Sequence, residues 1–278
     1  MVTQRASTRG PSAAGQLRIL LAEDLPANQR LMVRLLQRLG HQVWVAEHGQ
    51  EAIDLVRRLT FDLIFMDVQM PKIDGFRATA AIRRLQESQH RRIPIVAVTA
   101  HTMPGDRRRC LAAGMDAHLS KPINFQQLTA LVETMSRRAK SSPPPPPGQP
   151  GRSPQPREEG SPETPLFDYR AAVARLDNDD GLFDEMIRFF CDDSPGLLRQ
   201  LRIAIVAGDP RALQRAAHSL RGLAATFDAT AAVAAGRHVE ELGAAGNLAE
   251  AESALAALEF EVRRLCLALT DFLPQKRS

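Results

Sequence analysis

Five residues able to do chemistry sit at the ends of short apolar runs. Glu23 and Asp24 follow LRILLA, Asp67 closes FDLIFMD, Thr99 closes IPIVAVT, and Lys121 follows AHLS. The run 61–66 has the composition of a strand buried on both faces, and Pro71 and Gly75 break regular structure behind Asp67. An ionised carboxylate at such a strand tip has to meet water, a metal or a cation. Three carboxylates together repel and raise one another's pKa unless a divalent cation sits among them, and oxygen ligands at that density suit Mg²⁺. A lysine and a threonine hydroxyl opposite them supply donors for an anion. This set describes phosphoryl transfer to a carboxylate: Asp67 attacks phosphorus, Mg²⁺ and Lys121 neutralise charge on the equatorial oxygens, and Thr99 binds one of them.

A second candidate lies far along the chain. In the run 210–226, Leu213, Ala216, Ala217, Leu220 and Ala224 share one apolar sector of a helix. His218 falls about 150° from its centre and is expected to face water, with Arg211, Arg215 and Gly222 on the same side and Arg221 at the flank. A glycine within an exposed helical face costs about 1 kcal/mol against alanine. A large body pressing close to His218 would account for Gly222. The guanidinium groups disfavour the imidazolium, so His218 is expected to be neutral and nucleophilic, with arginines ready to meet phosphoryl oxygens.

The elements that must position these residues follow from periodicity. Strands are expected at 17–22, 42–46, 61–67, 93–99 and 117–119. Helices are expected at 26–39, 48–59, 75–86, 104–113 and from the cap Asn124 to about 138. Five strands alternating with five helices make a doubly wound, flavodoxin-like α/β fold with a five-stranded parallel sheet, whose strand tips converge on one edge. After residue 165 the alternation stops. Helices are expected at 168–175, 179–193, 195–207, 210–226, 229–243 and 247–269, with Ser194-Pro195 and Asp209-Pro210 as cap-plus-proline starts. Short connections make this second, all-α unit a helical bundle. Between the two, residues 140–165 (SSPPPPPGQPGRSPQPREEGSPETP within them) form a Pro-rich linker, and 1–16 a disordered tail.

Composition narrows the function classes. The chain has 278 residues, 44% hydrophobic and 24% charged, which is ordinary globular material for about two domains. No run approaches the length of a membrane span. The net charge of +4 is divided, about +6 over 17–139 and −4 over 166–278, which favours the halves meeting but is not a nucleic-acid footprint. Cys110, Cys191 and Cys266 are scattered without metal spacing, are expected to be unpaired core residues, and suit a reducing cytoplasm. No Gly-rich nucleotide loop and no helix-turn-helix appears.

ILLAED, FMDVQMPKIDGF, VAVTA and LSKP, in that order and spacing, resemble the signature segments of two-component response-regulator receiver domains over residues 17–139. The resemblance implies Asp67 as phosphoacceptor, Asp24 and the Gln69 backbone carbonyl as direct Mg²⁺ ligands, and Glu23 acting mainly through water. It also implies a Thr99 that rearranges on phosphorylation and a cis Lys121–Pro122 bond. His118 departs from the family, standing where receivers usually carry the Tyr or Phe that moves with the threonine. Haloacid-dehalogenase-like phosphatases also use an Asp nucleophile, but within a DxD pattern, and position 69 is Gln. AHSLRGLAATF is similar to the HxxKG-type motif of histidine-containing phosphotransfer (HPt) domains, four-helix bundles, over residues 166–273. It implies His218 as the phosphorylated residue and Gly222 as space for a receiver, with Arg221 replacing the usual Lys and Asp228 a frequent Gly.

The domain order resembles the C-terminal part of hybrid sensor histidine kinases. It implies a cytoplasmic phosphorelay protein, in need of a kinase in trans or a fragment of one, that passes a phosphoryl group between a histidine kinase, Asp67, His218 and a downstream response-regulator receiver. Neither nucleic acid nor membrane is an expected direct partner. Two alternatives predict other outcomes: a phospho-Asp-regulated adaptor, and a phosphate sink without onward transfer.

Overall fold

The computed structural model describes residues 15–89, 92–99, 104–140 and 166–275. Nearly all of the expected tail and the Pro-rich linker lie outside them.

The first unit alternates strand and helix through β1 (Arg18–Ala22), α1 (Pro26–Arg38), β2 (Gln42–Ala46), α2 (Gly49–Arg58), β3 (Leu63–Asp67), α3 (Gly75–Gln89), β4 (Ile95–Thr99), α4 (Pro104–Ala112), β5 (Ala117–Ser120) and α5 (Phe125–Lys140). All strands pair in parallel in the order β2-β1-β3-β4-β5. Both faces of the sheet are covered, which is why β1, β3 and β4 read as continuous apolar runs. Side chains alternate between two cores. Ile19, Leu21, Leu63, Phe65, Val96 and Val98 pack with Leu31, Leu35, Leu128 and Val132 of α1 and α5. Leu20, Ala22, Ile64, Met66, Ile95 and Ala97 pack with Ile53, Ala78 and Ile82 of α2 and α3.

The second unit holds α6 (Tyr169–Arg175), α7 (Asp180–Val206), α8 (Pro210–Ala225), α9 (Thr230–Ala245) and α10 (Leu248–Gln275). Asp168, Asp179 and Asp209 cap α6, α7 and α8 by accepting from the third backbone amide beyond each. Edge-to-face contacts link Phe183, Phe190 and Phe227 in the bundle core. α8 and α9 approach closely because α9 offers glycine: a Cβ on Gly243 would stand 2.8 Å from the Gln214 amide nitrogen.

Two expectations for this unit are corrected. Ser194-Pro195 does not start a helix, because α7 runs through Pro195. A proline inside a helix removes one backbone bond, but the apolar face continues across it through Phe190, Leu197 and Leu201, and that burial outweighs the loss. Cys191 and Cys266 are not unpaired. They face each other from α7 and α10 with Cα atoms 5.7 Å apart and form a disulfide. They lie 75 residues apart in sequence, so spacing gave no hint of it, and cysteine usage no longer argues for a reducing compartment. Cys110 is buried, as expected of a small core residue.

The units meet where α1 packs on α7. Arg30, Arg34 and Arg38 lie on one face of α1, and α7 with the turn before it supplies acidic partners: Arg30–Asp193 at 2.8 Å, Arg34–Glu185 bidentate, Arg38–Asp179 at 2.8 Å and Arg38–Asp177 at 3.3 Å. The Arg30 guanidinium also lies 4.2 Å from the centre of the Phe189 ring.

Candidate functional site

Parallel pairing fixes the tips of the strands together. Asp67, the last residue of β3, is in register with Val98, and Thr99, the last of β4, with Ser120. Glu23 and Lys121 follow β1 and β5 directly, so topology alone brings four of the five expected residues to one edge, and Asp24 joins them from the next position. Carboxylate oxygens of Glu23, Asp24 and Asp67 all lie within 4.8 Å of one another. The Lys121 ammonium bridges two of them, 2.6 Å from Asp67 Oδ2 and 2.7 Å from Glu23 Oε2. Glu23 and Asp67 are 1% and 3% exposed, so these charges meet almost without water. Thr99 is buried in the same wall.

Burial sets the protonation of the cluster. It pushes the Glu23 carboxyl up to about 8; Lys121 works against the shift and the Asp67 charge adds to it. Burial and the Asp67 charge push Asp24 up to about 6. Burial opposes the Lys121 ammonium, but Asp67 and Glu23 outweigh it and hold the lysine above its ordinary range. A cluster of oxygen donors whose anionic forms are this costly is suited to a hard divalent cation, so the donor set fits Mg²⁺.

The loop behind Asp67 is held by backbone. The Gln69 amide donates to Asp67 Oδ1 at 3.0 Å, which fixes one carboxylate oxygen and leaves the other on Lys121. Gly75 donates to the Val68 carbonyl, and a Cβ on Gly75 would collide with the Asp67 carbonyl. Only glycine lets α3 start so close to the end of β3. The Lys121–Pro122 peptide is cis, as the family resemblance implied. His118 is exposed on β5, away from the cluster.

The bundle places His218 over this edge. His218, Glu240, Gln214 and Arg215 line one cleft of about 550 Å³ with Asp67 and Thr99. A second, narrow gap is lined by His218 and Gly222 with Glu23, Asp24, Asp67 and Lys121. Three expectations change here. His218 does not face water: it is 7% exposed. A helical wheel of α8 sees neither α9 nor the other unit, and both stand against that face. Its nearest charged neighbour is an anion rather than a guanidinium, because Nδ1 lies 2.8 Å from Glu240 Oε1. The Arg221 side chain is committed to the same carboxylate, Nε to Glu240 Oε2 at 2.7 Å, so in this arrangement it braces the pair instead of standing ready for an incoming anion. Gly222 is not pressed by anything, since a Cβ there would meet no atom within 4 Å.

Glu240 is the residue that sequence reasoning missed. Burial works to raise its pKa, but the His218 hydrogen bond and the His218 and Arg221 charges prevail and hold it below the usual carboxylate range. An ionised Glu240 can only accept, so it takes a hydrogen bond from His218 Nδ1, and Arg221 Nη2 stands 3.3 Å from the same ring nitrogen. The only sign in the sequence is a glutamate at position 240 on the small-residue face formed by Ala232, Gly236 and Gly243.

A parallel sheet with an acidic, lysine-bridged cluster at its carboxyl edge, joined to a bundle that carries a histidine, is the arrangement of a receiver domain followed by a histidine-bearing helical domain. Residues 19–133 match the family model for the response regulator receiver domain, and residues 185–272 that for the Hpt domain. The chain therefore carries a receiver domain followed by an Hpt domain. It is similar to the sensor protein GacS of Pseudomonas syringae pv. syringae, 43% identical over 46% of this chain and 14% of that protein. It is also similar to the signal transduction histidine-protein kinase BarA of Escherichia coli K12, 30% identical over 73% of this chain and 21% of that protein. The chain thus spans about a fifth or less of the length of these relatives. Among solved structures it resembles the receiver domain of sensor histidine kinase PA1611 from Pseudomonas aeruginosa, which holds a magnesium ion in its active-site cleft. The two are 36% identical over 46% of this chain and all of that one, with a TM-score of 0.41. Among the described residues, no helix is long and apolar enough to cross a membrane.

Proposed function

We propose that Asp67 and His218 are successive carriers of one phosphoryl group. The observation that supports this most is that both side chains line a single cleft, with Thr99 on one wall and Glu240 on the other. In transfer from aspartate to histidine, the Nε2 lone pair attacks phosphorus. The bond from phosphorus to the Asp67 carboxylate oxygen breaks, and that oxygen leaves with the electron pair. Glu240 accepts the Nδ1–H hydrogen bond and stabilises the positive charge that develops on the ring. The reverse direction uses the same contacts, with the Asp67 carboxylate as nucleophile. Lys121 neutralises charge on the phosphoryl oxygens, and the Thr99 hydroxyl donates to one of them. Glu23, Asp24, Asp67 and the Gln69 carbonyl would hold Mg²⁺, which supplies further neutralisation of the phosphoryl charge.

In this reading a histidine kinase loads Asp67, and a downstream receiver domain takes the group from His218. The receiver unit spans 17–139 and the HPt unit 166–273, joined by the linker 140–165, in a cytoplasmic setting. The test is labelling by a cognate kinase followed by digestion. Wild type is expected to carry acid-labile label on His218 and acyl phosphate on Asp67. Asp67→Asn is expected to abolish kinase-dependent label on His218, and His218→Gln to leave label on Asp67 alone. Undiminished label on His218 in Asp67→Asn would refute the relay through Asp67. Rapid loss from Asp67 with none on His218 would favour the phosphate sink.

A further inference from the structure

We infer that the row Arg30, Arg34 and Arg38 is a docking key that closes the receiver over His218. The acidic rim it engages would then admit an outside receiver only if its first helix carries cations at the same spacing. The inference deepens the function proposed above and rests on it for the identity of the partner. Three arginines at i, i+4 and i+8 form a single stripe on α1. The stripe meets Asp193, Glu185, Asp179 and Asp177, all from the HPt side, so every one of these ion pairs crosses between units. The opposite face of α1 is spent on the sheet through Leu31, Met32, Leu35 and Leu36, which leaves the arginine stripe as the part of the helix that can choose a partner.

The geometry carries two consequences. First, His218 is 7% exposed and shares its clefts with Asp67, Asp24 and Lys121, so the receiver of the same chain occupies the space any other receiver would need. Own and outside receivers must compete for one rim. Second, most of the ladder is solvent-accessible, with side-chain exposures of 39% and 19% at Arg30–Asp193 and 59% and 32% at Arg34–Glu185. Each such pair shifts the docking equilibrium by roughly one- to fivefold and is weakened by salt. Closure is therefore reversible, helped by a tether that keeps the units at high effective concentration. An outside receiver with neutral or acidic residues at these three positions would be rejected by unpaired like charge.

The test uses the full chain and reads His218 accessibility, which needs no phosphoryl group. Diethyl pyrocarbonate modification of His218 is followed by mass spectrometry and normalised to His238, which is exposed on α9. Wild type should protect His218. R30E/R34E/R38E should raise its relative rate at least tenfold, and reversing Glu185 and Asp193 to arginine in the same chain, which leaves the α7 cap Asp179 in place, should restore protection. No rise overturns the inference; so does a rise without restoration, which would assign the effect to damage in α1.

A second arm mixes two full-length copies, His218→Gln loaded at Asp67 by acetyl phosphate and Asp67→Asn with His218 intact. Charge reversal of the arginine row should raise transfer in trans when placed in the Asp67→Asn copy, because its own receiver no longer covers His218. It should lower transfer when placed in the donor copy. Equal effects in both copies overturn the inference. If the accessibility result holds while no label ever passes to His218, the relay reading fails and the docking key stands.

Discussion

Replacing Lys121 with methionine tests the electrostatics on which the receiver site depends. Met keeps most of the stem volume and removes the ammonium that contacts Asp67 at 2.6 Å and Glu23 at 2.7 Å. The two carboxylates left behind are 3% and 1% exposed, so water cannot replace the lost cation. Breaking a buried pair this way costs about 3–5 kcal/mol, a large part of the stability of a domain this size. In unfolding temperature that is a loss of roughly 10–20 °C. The chain's one tryptophan, Trp44 on β2, packs edge-on to Phe61 with centroids 5.6 Å apart, so its fluorescence reports the receiver alone.

The pH dependence has a definite sign. A carboxyl whose folded pKa lies above its unfolded value stabilises the fold fully below the unfolded value and loses that contribution as pH rises through the folded one. Glu23 holds its proton up to about pH 8 in wild type and higher still without Lys121, so the part of the Lys121→Met deficit that Glu23 supplies should appear only as pH rises through 8 and beyond. Saturating Mg²⁺ should narrow it, because a divalent cation among the carboxylates takes over the lost charge. Unchanged Trp44 unfolding in metal-free buffer at pH 8, or a deficit that magnesium does not reduce, would refute this account of the cluster.

Mg²⁺ affinity measured by calorimetry should rise between pH 6 and pH 8. If both Glu23 and Asp24, at about 8 and about 6, must release protons the gain is about 100-fold, and if only Asp24 must it is about twofold. A flat profile would exclude both. Glu240→Ala should destabilise the bundle by about 3 kcal/mol, since it strands the Arg221 guanidinium, whose side chain is 12% exposed. Glu240→Gln should cost less at neutral pH and flatten the acid limb of bundle stability, because a depressed carboxyl stabilises above its unfolded pKa and loses that stability as pH falls through the folded one. Both are read by far-UV circular dichroism, and equal midpoints for Glu240→Ala and wild type would remove Glu240 from the brace. Cys191→Ser should lower bundle stability by about 4 kcal/mol under oxidising conditions, given 75 residues between the bridged cysteines. A reducing agent should abolish the difference.

The receiver fold was legible because its information is local and redundant. Each strand is a short apolar run, and parallel pairing in the order β2-β1-β3-β4-β5 turns five strand ends into one edge. Glu23, Asp24, Asp67, Thr99 and Lys121 could thus be gathered from sequence alone. On the bundle side the helices and the position of His218 were also legible, from periodicity and caps. The continuity of α7 through Pro195 was not, because a local helix-start signal competes there with burial of Phe190 and Leu197, which only tertiary packing supplies.

Sequence by itself determined which side chains can do chemistry and which element carries each. Tertiary structure alone decided what those side chains touch. It set Glu240 against Nδ1 of His218, drew Arg221 away from an incoming anion, paired Cys191 with Cys266, and placed an arginine stripe on an acidic rim. Each of these joins residues on different helices whose relative rotation is fixed by the packing of whole faces. A periodic pattern within one helix specifies which way a side chain points, and carries no information about what stands there.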